Sequence, residues 1–271
     1  MKEKNAANWL FVIAAVLAVA GTIWAAKPAA QTAVVKPAAP VEVNISAAMG
    51  LKDALADIQK EYEATNANVR LVFNLGPSGV LQQQLEQGVP ADLFISAAVK
   101  QVNDLQSKNL VISSTRKILV TDRLVLVVSK NSPLAIDSFL DLKKVTKFGM
   151  GEPGTVPAGQ YAMELLKTIG IWESVQDKAV RAKDVHTVIA YVESGNVDAG
   201  IVFATVAALT DKVKVVAGAP EGSHTPVAFP AVVMANARHP QEAEAFLNYL
   251  CSPQSAAVFK KYGFSFVGSN Q

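Results

Sequence analysis

The chain has 271 residues, of which 51% are hydrophobic and 18% charged, the make-up of a folded globular protein with ample core material. Its length suits one large domain or two smaller ones. A formal net charge of +2, with no Lys/Arg-rich or acidic run, argues against a nucleic-acid partner.

The first element is an address, not part of the fold. Lys2 and Lys4 precede an uncharged run from Asn5 to Ala26 that contains WLFVIAAVLAVAGTIWAA. A positive start followed by an apolar stretch is the pattern of an export signal. The run is also long enough to span a bilayer, so residues 1–26 fit a cleaved signal and an uncleaved anchor alike. No Cys follows the run, which excludes lipid attachment at that point. Residues 27–40, KPAAQTAVVKPAAP, form an Ala/Pro-rich tether.

From Val41 onward strands and helices alternate. Val41–Ser46 reads as a strand, and Leu51, Leu55, Ile58 and Tyr62 then share one helical face. Val69–Leu75 is a second strand, a helix carrying Leu81 and Leu85 follows, and Asp92–Ala97 is a third strand. This βαβαβ rhythm predicts a mostly parallel sheet flanked by helices. Ile118–Lys130 is a long β-rich stretch, after which the rhythm restarts. Strands are expected at Lys147–Met150, Ala199–Ala204, Val213–Ala217 and within Pro226–Met234. Helices are expected at Gln160–Ile169, His186–Glu193, Gln241–Leu250 and Pro253–Tyr262.

The economical reading is two α/β lobes, with chain crossings near residues 121 and 225. Lobe 1 would comprise residues 41–121 plus 226–271, and lobe 2 residues 122–225. Two crossings leave a cleft that can close on a ligand. A single larger α/β domain is the competing organisation.

Four strand-to-helix junctions could carry chemistry: Ala47-Ala48-Met49-Gly50, Gly76-Pro77-Ser78-Gly79, Val156-Pro157-Ala158-Gly159 and Asp184-Val185-His186. The first N–H groups of a helix lack intrahelical partners, and with the helix dipole they make an anion site. Such turns are common, however, and Ser78 alone reads equally as a helix cap. Catalytic signals are missing. GPSG is not the G-x-S-x-G elbow of a hydrolase, and the chain has neither a P-loop nor a strand-linked G-x-G-x-x-G. Asp92 reads as a structural turn residue. The single cysteine, Cys251, lies in the helical pattern FLNYLC and reads as inert packing. His186, His224 and His239 are scattered and read as ordinary surface or loop residues, and no Cys/His spacing is that of a metal site.

Six stretches, in order, carry a resemblance. They are SAAMGLKDAL from Ser46, FNLGPSGVLQQQLEQGVPADLFISA from Phe73, GEPGTVPAGQYA from Gly151, DVHTVIAYVE from Asp184, AGIVFAT from Ala199 and PQSAAVFKKYGF from Pro253. Together they resemble the molybdate-binding proteins of ABC importers across almost all of residues 41–266.

The resemblance implies a two-lobed type II periplasmic-binding-protein fold with the ligand cleft between the lobes. It implies a monomeric, non-enzymatic receptor in the periplasm or on the outer face of the cytoplasmic membrane. That receptor takes molybdate or tungstate without any cofactor and passes it to a permease and its ATPase. In that family the dianion is held by backbone N–H groups and hydroxyls, with no counter-charge. Ser78 matches a serine that gives hydroxyl and N–H, while Ala158 and Val185 match positions that give N–H. Two positions depart. Gly50, preceded by Met49, stands where the family has a serine, and Phe203 where it has a tyrosine. With two of three expected hydroxyls missing, Ser46, Asn44 and Thr205 become candidate substitutes. A diverged site for another oxyanion or a small organic anion is the competing reading.

Overall fold

The computed structural model describes residues 39–268. Residues 1–26, read above as an export signal or anchor, and the expected tether as far as residue 38 lie outside the described residues.

β1 (Val41–Ala48) leads through a one-turn 3-10 helix at Met49–Leu51 into α1 (Lys52–Thr65). Leu51, Leu55, Ile58 and Tyr62 are all buried, as their three- and four-residue spacing requires. β2 (Val69–Gly76), α2 (Ser78–Glu86), β3 (Leu93–Ile95) and α3 (Val99–Ser107) complete the first run. β1 pairs parallel with both β2 and β3, which places the carboxyl ends of all three strands on one edge. Leu93 and Ile95 face one side of the sheet, while Phe94 packs on the other with Leu81 and Leu85 of α2 and Val102 and Leu105 of α3. Both faces are therefore covered.

The β-rich stretch 118–130 is two strands, not one. β4 (Lys117–Thr121) belongs to the first sheet, and after a break at Asp122 and Arg123 β5 (Leu124–Ser129) enters the second. That second sheet is built from β6 (Phe148–Gly151), β7 (Ala179–Ala182), β8 (Ala199–Phe203) and β9 (Val213–Gly218). Its helices are α4 (Pro157–Thr168), the short α5 (Trp172–Val175), α6 (Val185–Glu193) and the one-turn α7 (Ala204–Ala207). The chain then returns as β10 (Ala228–Val233), α8 (Pro240–Leu250), α9 (Pro253–Lys261) and β11 (Ser265–Phe266).

The six-stranded sheet has the order β11-β4-β10-β3-β1-β2, and the five-stranded sheet β7-β6-β8-β5-β9. The expectation of mostly parallel sheets needs correcting, because each sheet is mixed. The βαβ units pair parallel, but β4, β10 and β11 pair antiparallel in the first sheet, and β5 pairs antiparallel with β8 and β9 in the second. The reason is the crossings. A strand that enters from the neighbouring sheet arrives without a crossover helix of its own, so nothing forces it to run parallel.

Candidate functional site

The carboxyl ends of β1, β2 and β8 and the starts of α2, α4 and α6 meet at a small cavity between the two sheets. All five residues singled out from the sequence line it: Gly50, Ser78, Ala158, Val185 and Phe203. Met49, Ala97 and Asp184 are also at its wall. Its volume is about 20 Å³, where one water needs roughly 10–15 Å³. The space suits a compact ion better than an extended molecule.

Each helix start is built to leave N–H groups free. Among the described residues no side chain caps the turn at Ala48, the start of α2 at Pro77 or the start of α4 at Val156. Pro157 occupies the first position of α4, where it has no N–H to lose and its fixed φ suits the helix. α4 can lie close on β6 because Gly159 has no side chain: a Cβ there would overlap the carbonyl of Gly151. α6 is the exception, since Asp184 accepts a hydrogen bond from Thr187 N–H at 2.7 Å. That carboxylate is the only charged group among the lining residues, and no Lys or Arg lines the cavity. Any anion here would be held by neutral donors and by the positive ends of helix dipoles.

Ser78 is the first residue of α2 and is 1% exposed. Its hydroxyl does not cap its own helix. The oxygen accepts the N–H of Ala97 at 2.9 Å, which leaves the hydroxyl proton free to donate into the cavity. Gly50 has no positive φ, and a Cβ built on it would meet Val206 at 3.9 Å and Phe203 at 4.0 Å, ordinary contact distances. Phe203 is 2% exposed, its ring set between Tyr161 and Phe229 with centroids 6.4 and 5.7 Å away. It brings no hydroxyl.

None of the three candidate substitutes reaches the cavity wall. Thr205 donates to Asp122 at 2.6 Å, Ser46 is buried within β1, and Asn44 lines a separate hollow beside Asp92. Asp92 is structural, as its position implied: it accepts the N–H groups of Asn44, Arg238 and His239.

Three contacts cross the cleft beside the cavity. Gly79 N–H donates to Thr155 C=O at 2.9 Å. The Tyr161 hydroxyl lies 3.5 Å from Ala97 C=O, and burial pushes that phenol far above its usual pKa. His186 Nε2 lies 3.4 Å from Met49 C=O, so this histidine is not the ordinary loop residue that its sequence position suggested. Among the described residues no group of three His, Cys, Asp or Glu side chains could hold a metal ion, and no helix is long and apolar enough to cross a membrane.

Known proteins share this architecture. The family model described as bacterial extracellular solute-binding protein matches residues 43–265. A putative ABC transporter substrate-binding lipoprotein of Bacillus subtilis, YvgL, is 41% identical over 225 residues, covering 83% of this chain and 86% of its own. The molybdate-binding protein ModA of Haemophilus influenzae is 36% identical over 233 residues, covering 84% of this chain and 91% of its own. Among solved structures, the substrate binding domain of a putative molybdenum ABC transporter from Clostridium difficile is 42% identical with a TM-score of 0.67, covering 84% of this chain and 99% of that one. With a two-lobed fold and a family match across nearly all the described residues, the chain belongs to the bacterial extracellular solute-binding proteins, a family of receptors and not of enzymes.

Proposed function

We propose that this protein is the extracytoplasmic receptor of an ABC importer and captures molybdate or tungstate in the interlobe cavity. One observation carries the reading: four loops from both lobes bring helix starts, three of them without a side-chain cap, and the Ser78 hydroxyl to one ion-sized space that no cation lines. Backbone N–H groups at Gly50, Ser78, Ala158 and Val185, with the Ser78 hydroxyl, would hold the dianion, and Phe203 would close one wall. The named relatives in B. subtilis and H. influenzae support the importer and the ligand class respectively. In this reading the protein acts as a monomer outside the cytoplasmic membrane and delivers its ion to a permease driven by an ATPase. The apolar run ahead of the domain serves export or anchoring.

A second reading has its own support. Gly50 and Phe203 both line the cavity and neither offers a hydroxyl, so the site has fewer donors than the resemblance implies. A diverged receptor for another small oxyanion fits that deficit. The cavity's size weighs against an organic anion.

Titration of the purified domain with molybdate, tungstate, sulfate and phosphate tests both. Ligand at ~100 times Kd should add about 2.7 kcal/mol of stability, a rise of roughly 5–10 °C in melting temperature for a domain of this size. Selective shifts with molybdate and tungstate support the first reading. A larger shift with sulfate or phosphate supports the second, and no shift at millimolar concentration with any of the four sinks both.

A further inference from the structure

We infer that Gly79 is the contact that registers lobe closure: its N–H is committed to the opposite lobe, and its missing side chain is what lets the lobes meet. The inference rests on the reading of the cavity as an anion site that closes around its ion. Gly79 is the second residue of α2, directly after Ser78, so its N–H has no acceptor within its own helix. That donor could have faced the ligand. It instead meets the carbonyl of Thr155, three residues before Ala158, at 2.9 Å. The bond therefore ties the start of α2 to the turn that leads into α4, each of which contributes a wall of the cavity.

The fit leaves no room for a methyl group. A Cβ on Gly79 would lie 2.8 Å from both the Cα and the carbonyl oxygen of Thr155. Those are backbone atoms, and their turn is itself pinned, with Thr155 N–H and Val156 N–H both bonded to Glu152 C=O at 3.1 and 2.8 Å. Neither side can give way by rotating a side chain. Bringing two helix starts together also brings two positive dipole ends together. An anion between them removes that repulsion, so the bond forms most readily when the site is filled.

This gives Gly79 a signature that plain helix packing would not have. Alanine is the better helix former, so Gly79→Ala should keep or raise the melting temperature of the ligand-free protein while weakening molybdate binding at least tenfold by calorimetry. Gly154→Ala is the control in the facing turn: its Cβ would meet nothing nearer than Glu152 Oε1 at 3.9 Å, and its affinity should match wild type. Wild-type affinity in Gly79→Ala overturns the inference. So does a fall in ligand-free melting temperature that accompanies the loss of affinity, since Gly79 would then serve folding and not closure. If the wild-type protein itself ignores molybdate, the ligand assignment fails separately. The closure contact is then read with whichever of tungstate, sulfate or phosphate raises the melting temperature: slower hydrogen exchange of the Gly79 amide on adding that ion supports it, and unchanged exchange overturns it.

Discussion

Ser78 shows why a residue's role depends on more than its place in a motif. A serine before a helix is usually a cap, but here the cap position belongs to Pro77 and the serine oxygen holds Ala97 N–H. Ser78→Ala should therefore do two things. Loss of a charge-assisted donor should weaken oxyanion binding at least tenfold, or ~1.4 kcal/mol. Leaving the Ala97 N–H buried without a partner should lower stability by about 1–3 kcal/mol. Calorimetry and denaturant unfolding read the two effects separately, and unchanged affinity would show the hydroxyl to be structural only. The departures at positions 50 and 203 allow the opposite experiment. Gly50 has an ordinary φ and room for a Cβ, so Gly50→Ser should fold without strain. Gly50→Ser and Phe203→Tyr should each strengthen molybdate binding by about 1 kcal/mol. A Cβ on Gly50 would lie 4.0 Å from the Phe203 ring, so the double variant should not show a simple sum. A well-folded Phe203→Tyr that binds no better would point to a pocket reshaped around the phenylalanine.

At the scale of elements, periodicity made much of the fold legible. The helices at α1, α4, α6, α8 and α9 were visible because their apolar residues recur every three or four positions. α3 was not, since only Val102 and Leu105 anchor it and Gln101, a polar residue, is buried beside them. β7 was missed for another reason: it is a four-residue edge strand, Ala-Val-Arg-Ala, too short to establish alternation. The stretch 118–130 reads as continuously β-rich with a crossing expected near residue 121, and its two strands part there at the polar pair Asp122 and Arg123. The junction loops were legible as helix starts, but the contacts between them were not, because spacing along the chain cannot reveal which loops face each other across a cleft. The crossing itself carries a pH dependence. Burial raises the Asp122 carboxyl to about 6, partly offset by the Thr205 hydroxyl and backbone N–H groups. Folding thus favours the protonated form, and stability from this group is lost as pH rises from about 4 through about 6. Asp122→Asn keeps an acceptor for Thr205 and removes the buried charge. Its advantage over wild type should grow by on the order of 1–3 kcal/mol between pH 4 and 7.5, measured by chemical denaturation across that range. A constant difference would exclude Asp122 as the titrating group.

For the whole molecule, the order of strands sets an order of events. The five-stranded sheet is drawn from one continuous stretch, Leu124–Gly218, and every strand it needs is contiguous in the chain. The six-stranded sheet is interrupted: β3 waits for β10, whose Val232 sits opposite Phe94 across the whole intervening lobe. Closing so long a loop is slow, and a sheet missing its central strand exposes apolar faces until the C-terminal segment arrives. A growing chain therefore completes its second lobe before its first can assemble, and the interlobe cavity, which needs both, appears last. Pulse-labelled hydrogen exchange during refolding should find amides of β5 and β8 protected before those of β1 and β3, and simultaneous protection of all four would contradict it. Under the proposed function, a receptor built in this sequence cannot hold an ion before the chain is whole, so a stalled or truncated copy would sequester none.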